Sequence, residues 1–211
     1  MSRVEDWIAL AQQNGRDLEV SPALILAFME DESDGNPHAY RDEPQISGGS
    51  IGLMQVLLST ARGLGYTGAR GDATELTGLF DPVVNVKYGA LEVCDVLREA
   101  NGDVARAISG YNGGFRPSLG FGSRAVQTVT VCLEHDANGV CVRKYTAKPG
   151  QFGNQPYVDK VLASFEKWQT RLAGVEPDAS GDVGDTPAAS GCAVLMFLPV
   201  VGSSLLFLSH L

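Results

Sequence analysis

The junction at Met29 constrains this chain more than any other stretch. Seven apolar residues in a row, Ala23 to Met29, run straight into Glu30, Asp31, Glu32 and, after Ser33, Asp34. Ser21 is a candidate N-cap and Pro22 suits a first helical position. A helix that is apolar all round must be buried all round, so other helices have to surround this one. "DGNP" stops it at residues 34–37. The four carboxyls then gather at a helix C-terminus, the negative end of the macrodipole. Either they reach water, or one of them is held protonated.

Helical periodicity recurs on both sides. Val4, Trp7, Ile8 and Ala11 mark an amphipathic helix over about 4–14, with Gly15 as its stop. "IGLMQVLLSTARGLG" reads as a helix closing near Gly63 to Gly65, after a loop from Ala39 to Ser50. Asp81-Pro82 caps a long helix whose inward stripe is Val83, Val86, Ala90, Cys94 and Leu97. Asp103 caps another, ended by Gly113-Gly114. "PYVDKVLASFEKWQTRL" is a last helix with Val158, Val161, Leu162, Phe165 and Leu172 on one face. Between the last two, "RAVQTVTVCLEHDANGVCVRKYTA" alternates around "DANG" and predicts a β-hairpin inserted at about 120–148. The chain is mostly α, with a small inserted hairpin.

A net charge of −9 argues against nucleic acid as a partner, which needs a basic face. The four cysteines show no zinc spacing, and with three histidines the chain is short of ligands, so neither metal nor cofactor is expected. Cys94 reads as a core residue, while Cys132 and Cys141 can form a local disulfide. A serine hydrolase is disfavoured, since no GxSxG occurs.

Composition changes after Ala173. Residues 174–190 are rich in Gly, Pro, Ala and Asp and read as a flexible acidic linker. Residues 191–211 form an apolar tail with no charge from Gly191 to Ser209. As a helix that uncharged run spans about 28 Å, near the roughly 30 Å of a bilayer core. The tail is a candidate transmembrane helix, or an apolar helix that docks on the domain or on a partner. No apolar signal region opens the chain.

"ALILAFMEDESDGNPHA", "SGGSIGLMQVLLSTARGLG", "LFDPVVNVKYGALEV", "AISGYNGG" and "YVDKVL" follow one another in this order. Together they resemble the catalytic domain of soluble-type lytic transglycosylases, the lysozyme-like family that cleaves peptidoglycan. The resemblance covers about 4–170 apart from the hairpin. It implies a lysozyme-like α+β domain over 1–173. Two departures are mild: Ser50 stands where alanine is usual, and Leu58 where proline is common.

The resemblance makes Glu32 the catalytic acid. The bottom-up argument fits the chemistry without choosing the residue. Breaking a glycosidic bond needs a carboxylic acid still protonated near neutral pH. Burial, like charge and the helix end all push in that direction. Glu30 and Asp31 are expected to be solvated neighbours. In the family one glutamate protonates the bridge oxygen and then deprotonates the 6-hydroxyl of N-acetylmuramic acid, leaving a 1,6-anhydro end. Two alternatives stay open: a hydrolytic muramidase with Asp42 or Glu43 as second carboxylate, and a non-catalytic peptidoglycan-binding relative.

By the same resemblance Met54 and Gln55 contact the sugar, Tyr111 approaches the acid, Asn112 holds backbone, Tyr157 lines the groove and Ser33 orients the Glu32 turn. The plain alternatives are packing for Met54 and Tyr111 and a loop hydrogen bond for Gln55. The hairpin is expected to wall one side of the cleft. The partner is the peptidoglycan glycan strand and the setting the bacterial cell envelope. Phage-virion delivery, a secretion assembly or a membrane anchor would run through residues 191–211.

Overall fold

The computed structural model describes residues 3–42, 49–136 and 138–174. The candidate tail and nearly all of the linker therefore lie outside the described residues, as does Glu43. Among the described residues no helix is long and apolar enough to cross a membrane.

A 3-10 turn over Val4–Trp7 leads into α1 (Ile8–Leu18), followed by α2 (Pro22–Ser33). Gly15 does not end α1, which runs on to Leu18 and turns at Glu19 with φ 53°. The glycine is there for closeness: a Cβ on it would lie 2.7 Å from Pro22 Cγ. α2 is the core of the molecule, and Ala23 to Met29 are all buried, as the apolar run requires. Its C-cap is Asp34 in the left-handed region. Gly35 follows, its carbonyl taking a 2.9 Å hydrogen bond from Trp7 Nε1.

The segment expected to be helical from Ile51 is instead a small antiparallel sheet and a turn. β1 (Tyr40–Arg41), β2 (Ser50–Ile51) and β3 (Val56–Leu57) pair in that order, and α3 is only Leu58–Gly63. Gly52 (φ 71°) and Gln55 (φ 48°) occupy left-handed conformations that a helix excludes. The helical spacing was misleading because Leu53, Met54 and Val56 are buried on a turn rather than along one helix face.

α4 (Pro82–Glu99) starts as read, with the Asp81 carboxylate accepting from the Val83 and Val84 amides at 2.8 and 3.3 Å. Val86, Ala90, Cys94 and Leu97 face inward, whereas Val83 is exposed. α5 (Val104–Gly113) is capped by Asp103. The hairpin is β4 (Val129–His135) with β5 (Cys141–Ala147), stapled by Cys132–Cys141 across a Cα separation of 5.8 Å. α6 (Gln155–Ala173) closes the described fold and buries Val158, Val161 and Trp168, the last unforeseen in the periodicity.

Asn85 of α4 organises the site from beneath. It is fully buried, donates to the Ile51 and Leu79 carbonyls at 2.7 and 2.8 Å, and accepts from the Met54 amide at 2.9 Å. Asn85→Ala strands all three backbone groups. Urea unfolding is expected to show a loss on the order of 3 kcal/mol.

Candidate active site

The acids at the end of α2 do not simply fan into water. Three of them reach α6. Glu30 accepts from Trp168 Nε1 at 2.8 Å and pairs with Lys167. The Asp31 side chain is completely enclosed, with Lys160 Nζ 2.7 Å from Oδ1. Glu32 accepts a 2.6 Å hydrogen bond from the Tyr157 hydroxyl. Asp34 alone is exposed. The expectation that Glu30 and Asp31 are solvated is therefore corrected. A helix from the far end of the chain docks on α2 and supplies each acid with a partner.

Tyr157 is placed by a buried polar network. Asn154 stands at the start of α6, its Oδ1 accepting from Ser109 Oγ at 2.7 Å. Its Nδ2 donates to the Ser109 carbonyl at 3.1 Å and to Asn112 Oδ1 at 3.0 Å. The network ties the end of α5 to the first turn of α6, where the Tyr157 amide donates to the Asn154 carbonyl at 2.9 Å. Asn112, exposed itself, thus acts through Asn154. Sequence reasoning missed Asn154. The clue available was a polar residue two places ahead of a predicted helix, near a position that often satisfies backbone.

A second wall is the turn at 51–55. The Ser33 hydroxyl donates to the Leu53 carbonyl at 2.8 Å and lies 3.2 Å from the Met29 carbonyl. The Tyr111 hydroxyl donates to the Met54 carbonyl at 2.8 Å, and its ring stacks on Phe28 with centroids 4.2 Å apart. The expected sugar contacts Met54 and Gln55 have protein partners here. Met54 is fully buried and its sulfur packs on Gly89 of α4, where an added Cβ would lie 2.4 Å away. Ser33 commits its hydroxyl to protein carbonyls, orienting the Glu32 turn. Gln55 is half-buried and its amide nitrogen donates to the Gly52 carbonyl at 3.0 Å, the loop hydrogen bond weighed as its alternative. Asp42 is exposed and accepts from Tyr40 at 3.3 Å.

Glu32, Tyr111 and Tyr157 are thus brought together, and Glu92 of α4 joins them unannounced by any motif. Burial raises the Glu32 carboxyl above its ordinary value. The Tyr157 hydrogen bond works against that shift, as do the positive charges of Arg41 and Lys160, while Asp31 adds to it. Burial, then the charge of Glu32, lifts Tyr157 well above the usual phenol range. Tyr111 is lifted by burial, then by Glu92 and Glu32. Both phenols therefore stay neutral donors. The cluster can hold and release one proton at Glu32. Among the described residues no group of three or more His, Cys, Asp or Glu is placed to hold a metal ion.

A family model, the transglycosylase SLT domain, matches residues 9–122. The chain is 29% identical over 177 residues to the membrane-bound lytic murein transglycosylase C of Yersinia enterocolitica, covering 79% of this chain and 48% of that one. It is 31% identical over 115 residues to the transglycosylase of Enterobacteria phage PRD1, covering 54% and 37%. It therefore spans less than half the length of either relative. Among solved structures, an inactive variant of the lytic transglycosylase Slt from Pseudomonas aeruginosa superposes with a TM-score of 0.53 at 20% identity, over 80% of this chain and 25% of that one. The 70 kDa soluble lytic transglycosylase of Escherichia coli gives 0.51 at 18%, over 78% and 24%. At these identities the two structures establish a shared fold, the mostly α, lysozyme-like one.

The raised Glu32 carboxyl has a consequence for stability. The folded molecule holds this proton more tightly than the unfolded chain, whose carboxyl titrates near 4.5. This group therefore stabilises the fold relatively more in acid, and that contribution is lost as pH rises from 4.5 through the folded value. Glu32→Gln removes the loss. Its thermal midpoint is expected to exceed the parent's, by a margin that widens from pH 4.5 upward in a series of melting curves.

Proposed function

The chain belongs to the transglycosylase SLT domain family, and on that footing we propose that it is a peptidoglycan lytic transglycosylase. It cleaves the β-1,4 bond between N-acetylmuramic acid and N-acetylglucosamine with Glu32 as its single acid and base. The observation that carries this reading is the 2.6 Å hydrogen bond from Tyr157 to a half-buried Glu32 whose proton is retained by burial.

Protonated Glu32 gives its proton to the bridging oxygen as the C1–O bond breaks, and the N-acetylglucosamine side leaves as an alcohol. The carboxylate then takes the proton from the 6-hydroxyl of the muramic sugar while O6 bonds to C1. No water is consumed, the product ends in a 1,6-anhydro ring, and Glu32 is again protonated. The 2-acetamido group next to C1 can stabilise the positive charge between the two halves. Tyr157 keeps Glu32 aimed through both, and Gln55 and Tyr111 stand at the adjoining wall.

A hydrolytic muramidase needs a second carboxylate ionised at working pH. Glu92 is held protonated up to about pH 8 by burial, with Glu32 and Asp95 adding to the effect. Glu92 is therefore not suited to be that second carboxylate below about pH 8. Residues 1–173 are the catalytic unit of this proposal, residues 174–190 the linker and residues 191–211 an anchor to a membrane or to a virion or secretion assembly. The enzyme works in the bacterial cell envelope, where a Cys132–Cys141 disulfide is at home in an oxidising compartment. One relative comes from a bacterium and another from a phage, and both settings suit local opening of the wall. The hairpin walls one side of the cleft.

The test is mass spectrometry of soluble products from purified peptidoglycan digested by the full chain and by Glu32→Gln. Anhydro-muramic ends are expected from the parent, falling at least about 100-fold in the variant. Reducing muramic ends would mean hydrolysis, and an inert parent would leave a binding module.

A further inference from the structure

Asn85, Gly89, Glu92 and Val96 fall at spacings of four, three and four, and so share one face of α4. The first two positions of that face are occupied. Asn85 grips the 51–54 turn, and Gly89 receives the Met54 side chain. Glu92 comes next along the same row, one turn beyond Met54. The groups that act on it come from three elements: Glu32 from α2, Tyr111 from α5 and Asp95 from its own helix. None is a cation. The side chain is half-buried, and among the described residues it has no hydrogen-bond or ion-pair partner.

A half-buried carboxyl that bonds no protein group and still meets solvent has its hydrogen-bonding capacity open to a ligand. The three other side chains facing the cluster all have partners or pack: Glu32 on Tyr157, Tyr111 on the Met54 carbonyl, Met54 on Gly89. We propose that Glu92 is a substrate-binding residue of this cleft, its carboxyl hydrogen-bonding the glycan strand beside Tyr111. The proposal rests on the reading of the Glu32 cleft as a glycan site.

The chemistry favours a sugar. A neutral carboxylic acid both donates and accepts, matching a sugar hydroxyl or an acetamido group, which do the same. The neutral form also spares the site a second negative charge against Glu32 and against strands that carry lactyl-linked carboxylates. Glu92 keeps its proton up to about pH 8. Above that it can only accept, and it repels.

The experiment separates binding from turnover. Full-length chains carrying Glu32→Gln, alone and with Glu92→Gln or Glu92→Leu, are titrated with uncross-linked glycan strands by calorimetry from about pH 6 to pH 9. Glu92→Leu is expected to weaken Kd about tenfold at pH 6 with its fold intact by circular dichroism. Glu92→Gln keeps the pH 6 affinity, because an amide also donates and accepts. It holds that affinity to pH 9, while the chain with native Glu92 loses affinity above pH 8. Equal Kd in the leucine chain, or a glutamine chain that weakens above pH 8 like the native one, overturns the proposal. So does absence of binding by the Glu32→Gln chain. Failure of the lyase reading appears elsewhere, as reducing ends from the parent, and leaves this comparison standing.

Discussion

The meeting of α2, α4 and α5 at the candidate site depends on how the backbone of residues 51–55 is satisfied. A buried turn cannot leave its amides and carbonyls unpaired. Here they are paired by side chains from three helices. Asn85 of α4 takes Ile51 and Met54, Ser33 of α2 takes Leu53, and Tyr111 of α5 takes the Met54 carbonyl. Gly52 and Gln55 adopt the left-handed conformations that open those groups outward. The turn is thus a keystone made of backbone. It fixes the distance between the end of α2, which carries Glu32, and the helices that carry Tyr111 and Glu92.

The acidic stretch at the end of α2 solves a different problem. Carboxylates crowded on one helical turn repel, and the helix end adds to the strain. α6 offsets this by bringing Lys160, Lys167 and Trp168 to Asp31 and Glu30, leaving Tyr157 for Glu32. Glu32 receives a neutral donor where its two neighbours receive cations. Burial favours a retained proton at Glu32, and no cation bonds directly to its carboxyl to cancel that effect, whereas Glu30 and Asp31 are charge-matched. The cations still matter to it at a distance, since Lys160 and Arg41 both moderate the effect of burial.

Much of this was legible in the sequence. The seven apolar residues demanded a buried helix and got one. Asp81-Pro82 and Asp103 marked real caps because capping is local chemistry. The alternation around "DANG" marked a real hairpin. What escaped was set by distant contacts. The run from Ile51 reads as a helix, but a helix would have used up the carbonyls that Asn85, Ser33 and Tyr111 need. Gly15 looked like a stop and is a point of helix approach. Glu30 and Asp31 looked solvated because their partners lie more than a hundred residues away. Glu92 was unreadable for a plainer reason: one acid on a long helix carries no pattern until the fold shows what surrounds it.

The bond between Tyr157 and Glu32 joins residues separated by 125 positions. During vectorial synthesis α2 is made early, and α6 emerges only after the hairpin. Until α6 docks, Asp31 has no cation, Glu30 no indole and Glu32 no phenol. A ribosome-bound or truncated chain ending before α6 lacks the partners of all three acids. The candidate site is therefore completed only by the last described helix, which makes its assembly a late step of synthesis rather than an early one.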